Sequence, residues 1–452
     1  MKHVTDRTFR NSCWGPLVLS LVLVLSLPFS LFACSRPHTE AFIPVHTSLE
    51  VEEELTAESW DTSLIDIPVK LRGSAEIVDA NGVIHGIHPS GIHYTLHGRG
   101  VGGFSTERVT LCAVGDQIAT DMSLPIADWY AGDRYDGLYD FAPFYQEIAP
   151  FIQSFDLRYI NQETVMAGPE YGYSGYPSFN SPDAVAHAIA DVGFNLVNFS
   201  TNHSYDMGLY GIERSHEIWQ EYPQILIGGS YLSNEDRETV HLIERNGMTF
   251  AFLAYTYGDN NYGYGTYNMP NPYYACQFDK ELMTEDVRRA QVVADAVIVS
   301  MHWGNEYISE PSDFQYEYAQ FLADLEVDLV LGSHAHIVQP VKFITGETGK
   351  RVPVVFGLSD IVSGWTLTDT IFSGIFTCDF VRDPSGSGVI VENLLWYPSI
   401  EWSDGGDVYV RMLKDMDIAT VNANTRTEDV YDDFSYLSNM IDSMGMEIPV
   451  IM

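Results

Sequence analysis

Basic side chains are scarce: 23 Lys and Arg stand against 62 Asp and Glu in 452 residues, a formal net charge of −39 at pH 7. A surface this acidic repels nucleic acid and anionic lipid, which excludes a nucleic-acid-binding role. Cysteine is rarer still, at five residues. Cys13 and Cys34 fall in the N-terminal stretch; Cys112, Cys276 and Cys378 are too scattered for a disulfide framework or a thiolate zinc site. These three read as buried apolar side chains. Internal repeats are absent. Apolar residues are plentiful, with 46% hydrophobic and 13% aromatic content, more than a disordered acidic chain carries. The composition therefore describes a folded protein with an acidic exterior.

The few cations are placed informatively at the start. Lys2, Arg7 and Arg10 precede an uncharged stretch, Asn11 to Ser35, that contains the apolar run Leu17 to Leu27. This is the order of an export signal. The stretch ends Leu31-Phe32-Ala33-Cys34, which resembles the bacterial lipobox and predicts cleavage ahead of Cys34 and lipidation of its sulfur. An uncleaved transmembrane anchor is the alternative, because the stretch approaches the roughly 20 residues needed to span a bilayer. Pro28 and the short box favour cleavage. Loss of residues 1–33 removes Lys2, Arg7, Arg10 and Asp6 and moves the charge from −39 to −41. In either case the bulk of the chain is expected outside the cytoplasm, tethered to the membrane.

The remainder divides by pattern. Residues 1–34 read as the signal, 35–65 as a flexible acidic tether, and 66–108 as a small β-rich segment beside the main domain. The main domain spans 109–411, and 412–452 form an acidic C-terminal segment with a short surface helix. Within the main domain, short β-branched runs alternate with helical stretches. Val109–Val114, Leu157–Asn161, Asn195–Ser200, Thr249–Ala254, Ala296–Ser300, Val327–Leu331 and Val352–Phe356 predict strands. Asp140–Gln153, Pro182–Val192, Leu209–Glu221, Lys280–Val292 and Asp313–Asp324 predict helices, with Ser181-Pro182 as a helix start. Such alternation implies a layered α/β domain with its active groups at the carboxyl ends of strands.

Metal-ligand side chains follow those strands directly. They are Gly115-Asp116, Asn161-x-Glu163, Asn202-His203, His302-Trp303-Gly304 and His334-Ala335-His336. Carboxylate, amide oxygen and imidazole together suit one or two divalent transition ions. The His-x-His pair is the strongest single signal, because alternate residues of an extended chain face the same way. Tyr255 to Tyr274 is a tyrosine-rich connection, either a substrate-covering loop or an irregular link. His85, His88, His93 and His97 make a patch read as structural rather than as a metal site.

Taken in order, Gly115-Asp116, Asn161-x-Glu163, Asn202-His203-x-x-Asp206-x-Gly208, His302-Trp303-Gly304 and Ser333-His334-Ala335-His336 resemble the motifs of the CapA family of poly-γ-glutamate capsule biosynthesis. That family is similar to calcineurin-like metallophosphatases. The resemblance runs from Val109 to about Ile361 and includes Phe179-x-x-Pro182 and Gln339-Pro340. It implies a metallophosphatase-like β-sandwich flanked by helices. It also implies Asp116, Glu163, Asn202, His302, His334 and His336 as ligands of one or two ions (Mn, Fe or Zn), Glu163 as their bridge, and His203 as an acid near the substrate. Two departures stand out. The phosphoesterase Asp-x-His motif has Ile118 in its third position, so one metal position is a ligand short, and Asp360 replaces the Asn of the Ser-Leu-Gly-Asn-Phe motif.

Three functions follow as expectations. The first is capsule assembly with membrane-embedded synthesis partners, acting on an anionic polymer that the chain's own charge would repel unless cations intervene. The second is a metal-dependent hydrolase of envelope phosphoesters or amides. The third is a non-catalytic binding lipoprotein.

Overall fold

The structure is a computed structural model and describes residues 69–98, 108–132, 135–264, 271–385, 388–427 and 432–452. The signal, Cys34, the tether and residues 265–270 of the tyrosine-rich connection lie outside the described residues.

Two sheets form the centre. One has the order β1 (Ala75–Val78), β2 (Ile84–Ile87), β3 (His93–His97), β8 (Val240–Arg245), β9 (Met248–Thr256), β12 (Ala296–His302), β13 (Leu329–Ser333), β15 (Arg351–Leu358), β14 (Val338–Thr345). The other runs β19 (Tyr409–Met412), β18 (Val389–Trp402), β17 (Phe372–Arg382), β4 (Arg108–Gln117), β5 (Leu157–Gln162), β6 (Leu196–Asn198), β7 (Leu226–Gly228), with β16 (Asp360–Val362) paired to the end of β4. A small hairpin, β10 (Gly258–Asp259) and β11 (Gly263–Tyr264), stands apart.

Alternation along the strands makes the layers. Val109, Leu111 and Ala113 of β4 meet Ala296 and Ile298 of β12 between the sheets, in a core that also holds Phe250, Phe252, Phe376 and Trp396. The intervening residues Cys112 and Val114 face outward, onto the helix Ser123–Ala131 through Ala127 and the helix Ala184–Val192 through Ile189. On the opposite side Val297, Val299 and Met301 pack on Met283 and Val287 of the helix Lys280–Val293 and on Leu322 of the helix Asp313–Asp324. Each fully buried Leu, Val or Phe here contributes about 1.5–3 kcal/mol of transfer free energy. The result is the expected layered α/β architecture, two sheets with helices on both faces. Cys112, Cys276 and Cys378 are buried and unpaired.

Several local expectations are corrected. Asp140–Gln153 is not one helix. It is a 3-10 turn at Ala142–Tyr145 and one turn of α-helix, Ala149–Ile152, because Pro143 and Pro150 bring no N–H to an interior ladder. Ser181 does not cap the following helix, which starts at Ala184 after Asp183; its hydroxyl lies 2.5 Å from that of Thr164. The N-terminal β segment adds β1 to β3 to the first sheet through a parallel β3–β8 pairing, rather than packing beside it. The C-terminal helix Asp433–Met444 buries Leu437 and Ile441 against Phe372, Ile400 and Trp402. No helix among the described residues is long and apolar enough to cross a membrane.

Candidate metal centre

Parallel strands deliver the site. β4, β5 and β6 are parallel neighbours in one sheet, and β9, β12 and β13 in the other. Their carboxyl ends carry Asp116, Glu163, Asn202, His302 and the loop from His334 to His336, all buried. Their registers are short and fixed by the core, so a side chain one residue past a strand end is placed as firmly as the strand itself.

Four of the six predicted ligands, Asp116, Glu163, His334 and His336, fall with Asp360 into two overlapping groups. Donor atoms of Glu163, His334 and His336 lie within 4.8 Å of one another, as do those of Asp116, His336 and Asp360. His302 adjoins the first group, its ring 4.8 Å from that of His334. Its Nε2 lies 2.8 Å from Oδ1 of Asn202, and its Nδ1 lies 2.9 Å from the Ser333 hydroxyl, which orients the imidazole. Asp116 accepts hydrogen bonds from the Asn161 amide (2.8 Å) and the backbone N–H of His334 (3.1 Å), and Asn198 in turn donates to Asn161 (2.7 Å). Asn161 thus positions the aspartate.

The His-x-His pair is not on extended chain. His334 and His336 have φ of +88° and +57°, a left-handed conformation that costs non-glycine residues about 1–3 kcal/mol each and persists where surrounding packing over-determines it. Their rings are 5.9 Å apart. The loop's left-handed turns, not strand alternation, bring both imidazoles into the site.

The electrostatics of the cluster are those of a place built for cations. Burial pushes the Asp116 carboxyl up to about 7, an effect that His336 opposes and Asp360 reinforces. Glu163 is raised well above its ordinary value by burial, then by Asp116 and Asp360. Asp360 is raised by burial. His302 and His334 are held well below 6.5, again by burial and then by neighbouring imidazoles. The possible acceptors Glu163 Oε2, His334 Nδ1 and Asp360 Oδ2 are buried and accept no hydrogen bond within reach. Orphaned acceptors and carboxylates crowded together are costly unless an ion meets them, so the residues present fit a divalent cation.

His203 stands beside this group. Its Nδ1 lies 2.7 Å from Oδ2 of Asp206, which also accepts from the Phe179 backbone N–H at 2.8 Å. The Phe179 ring meets it edge-on at 4.7 Å, and the Asn260 amide nitrogen is 3.3 Å from its Nε2. The imidazole is thereby fixed in orientation. Tyr257 and Asn260 bring part of the tyrosine-rich connection to the site: the Tyr257 ring is 4.6 Å from that of His334. Trp365 and Tyr307 flank His336 at 5.1 and 5.8 Å. Sequence reasoning gave no role to Asp206, Asn260, Tyr307 or Trp365, and left that of Asp360 undefined. Asp206 stood inside a quoted motif and was within reach; the other contacts depend on distant loops.

A family model described as bacterial capsule synthesis protein PGA_cap matches residues 110–364. The PGA biosynthesis protein CapA of Bacillus subtilis (strain 168) is 26% identical over 182 residues, 40% of this chain and 46% of that protein. The capsule biosynthesis protein CapA of Bacillus anthracis is 22% identical over 272 residues, 58% of this chain and 62% of that protein. The chain thus spans less than two thirds of the length of either relative. A crystal structure of a hypothetical protein from Thermus thermophilus aligns with 67% of this chain and 99% of its own at 12% identity and a TM-score of 0.36. The matched segment contains every donor described above and covers more than half of the sequence, and the chain belongs to the bacterial capsule synthesis protein family PGA_cap.

Proposed function

We propose that this chain serves the biosynthesis or export of a poly-γ-glutamate capsular polymer, outside the cytoplasm and tethered by lipid on Cys34, with membrane-embedded synthesis proteins as partners. The observation that carries this reading is the coincidence of the family's matched segment, 110–364, with the buried carboxylate and imidazole cluster. A chain of net charge −39 repels a polyanion, and divalent ions held at this cluster offset that repulsion where polymer and protein meet. Asp116, Glu163, Asn202, His302, His334 and His336 would hold one or two ions of Mn, Fe or Zn type. When bound, such an ion supplies Lewis acidity toward an amide or phosphoryl oxygen.

The protein's own groups do the rest. Asn161 and Ser333 orient Asp116 and His302. Tyr257, Tyr307 and Trp365 restrict water around the histidines. His203, set by Asp206, is the group that moves a proton to a leaving atom. This last arrangement favours a second reading, a metal-dependent hydrolase of envelope phosphoesters or amides, which processes polymer rather than only binding it.

Complementation tests the proposal. In a polymer-producing host that lacks its own family member, the full chain is expected to restore capsule, and the Asp116→Ala, His336→Ala double variant is not. Restoration by the double variant would remove the metal centre from the function. Radiolabelled fatty acid should enter the wild type and not Cys34→Ser; labelling of neither favours the N-terminal transmembrane anchor.

A further inference from the structure

The third position of the phosphoesterase Asp-x-His motif is Ile118 here, and it is buried. The backbone N–H of Ile118 donates to the Val362 carbonyl at 2.9 Å, tying the end of β4 to β16. In the same pairing Asp360 stands directly opposite Asp116. Two features bring it there. Ser359 turns the chain with a φ of +65°, and Gly115 leaves the Ser359 carbonyl room, since a Cβ at Gly115 would lie 1.7 Å from that oxygen. The approach delivers the Asp360 carboxylate to the Asp116 end of β4.

The two oxygens of Asp360 have different surroundings. Oδ1 lies 2.9 Å from His336 Nδ1, Oδ2 is buried, and Ser363 is the side chain that eases the burial of this carboxylate. Asp116 Oδ2 is 3.6 Å from the same His336 nitrogen, and on the other side of the ring Glu163 Oε1 is 3.7 Å from Nε2. Three buried carboxylates therefore surround one imidazole. Among the described residues, the main charged groups acting on them are acidic side chains and His336, with no Lys or Arg. Buried carboxylates crowded in this way are costly unless a cation sits among them.

We propose that Asp360 is a metal ligand that, with Asp116 and His336, forms a carboxylate-rich cation position in place of the donor lacking at Ile118. The inference rests on the metal-dependent reading above. It makes the centre asymmetric. Asn202, His302 and His334 offer a position rich in nitrogen, which suits Zn or Fe, whereas the carboxylate-rich position suits Mn(II). The residue matters chemically, because an Asn at 360 retains an acceptor for His336 but sets an amide NH2 where Oδ2 now stands.

The test uses the full chain in detergent, stripped of metal and titrated with Mn(II), with bound ions counted by elemental analysis and followed by electron paramagnetic resonance. Two ions per chain are expected for the wild type. In Asp360→Asn the second is expected to bind at least about tenfold more weakly while the first is retained. A wild type that saturates at one ion overturns the inference, and so does an Asp360→Asn variant that binds both as tightly as the wild type, which would leave Asp360 only as the acceptor for His336. A wild type that binds no ion overturns the metal reading altogether. A chain that binds two ions yet fails to restore capsule overturns the proposed function and leaves this inference standing.

Discussion

Nε2 of His302 lies 2.8 Å from Oδ1 of Asn202, so two residues from different sheets hold each other in the place where both face the cluster. Each is the other's hydrogen-bond partner, and under the proposed ligand set both would be donors to an entering ion. Replacing Asn202 by Ala leaves a buried imidazole nitrogen unpaired, at a cost of about 1–3 kcal/mol in the metal-free chain. Binding an ion at 100 times its dissociation constant stabilises the wild type by about 2.7 kcal/mol. Thermal unfolding with and without Mn(II) or Zn(II) should therefore show a metal-dependent rise in the wild type that is much reduced in Asn202→Ala. An equal rise in both would remove Asn202 from the ligand set.

The Asp206 to His203 contact of 2.7 Å predicts a separable effect. Asp206→Asn preserves the shape but weakens the hold on the imidazole. Under the hydrolytic reading, turnover of a phosphoester or amide probe should fall about 100-fold, the usual scale of general acid catalysis, with KM and metal content unchanged. A parallel loss of bound metal would show that Asp206 supports the cluster and not proton transfer.

Gly115 supplies a backbone test. A Cβ there would meet the Ser359 carbonyl at 1.7 Å, so Gly115→Ala must part β4 from β16. The expected loss of stability is about 3 kcal/mol, the upper end of ordinary overpacking, together with weaker metal binding as Asp116 and Asp360 separate. Gly406→Ala is the control. Only Asp404 Oδ1 comes near its added carbon, at 3.4 Å, and a shift within about 0.5 kcal/mol is expected by denaturant titration. Equal effects at both positions would show that the close approach at Gly115 does not govern stability.

What was readable in the sequence follows from the range of each signal. β-branched runs such as Ala296 to Ser300 announce buried strands because their pattern is local, and Asp313–Asp324 was bounded correctly because Ser312 and Gln315 form a capping box. Ligand-type residues at strand ends were visible for the same reason. The helix expected over Asp140–Gln153 is broken because Pro143 and Pro150 supply no N–H for an interior helical ladder. Asp360 was noticed only as a departure from a motif. Its place opposite Asp116 is set by a β4 to β16 pairing across more than 240 residues, and no local pattern reports such a pairing. The left-handed turns at His334 and His336 are likewise imposed by packing around the loop and not by the residues themselves.

His216 allows a stability test away from the cluster. Its Nε2 lies 2.9 Å from the Ser230 hydroxyl, and burial lowers its pKa from 6.5 to about 4, with Asp236 opposing and His241 adding to the fall. The folded protein therefore holds this ring neutral, while the unfolded chain protonates near pH 6.5. The stabilising contribution is complete above pH 6.5 and is lost as the pH falls toward 4; between pH 7.5 and pH 5 the loss is about 2 kcal/mol. Gln at this position can still donate to Ser230 but does not titrate. Denaturant unfolding of wild type and His216→Gln at the two pH values should show the wild type losing more, by about that amount. If the two proteins lose stability in parallel, His216 already carries its proton in the folded state, and the acid sensitivity of the chain must come from its other buried groups.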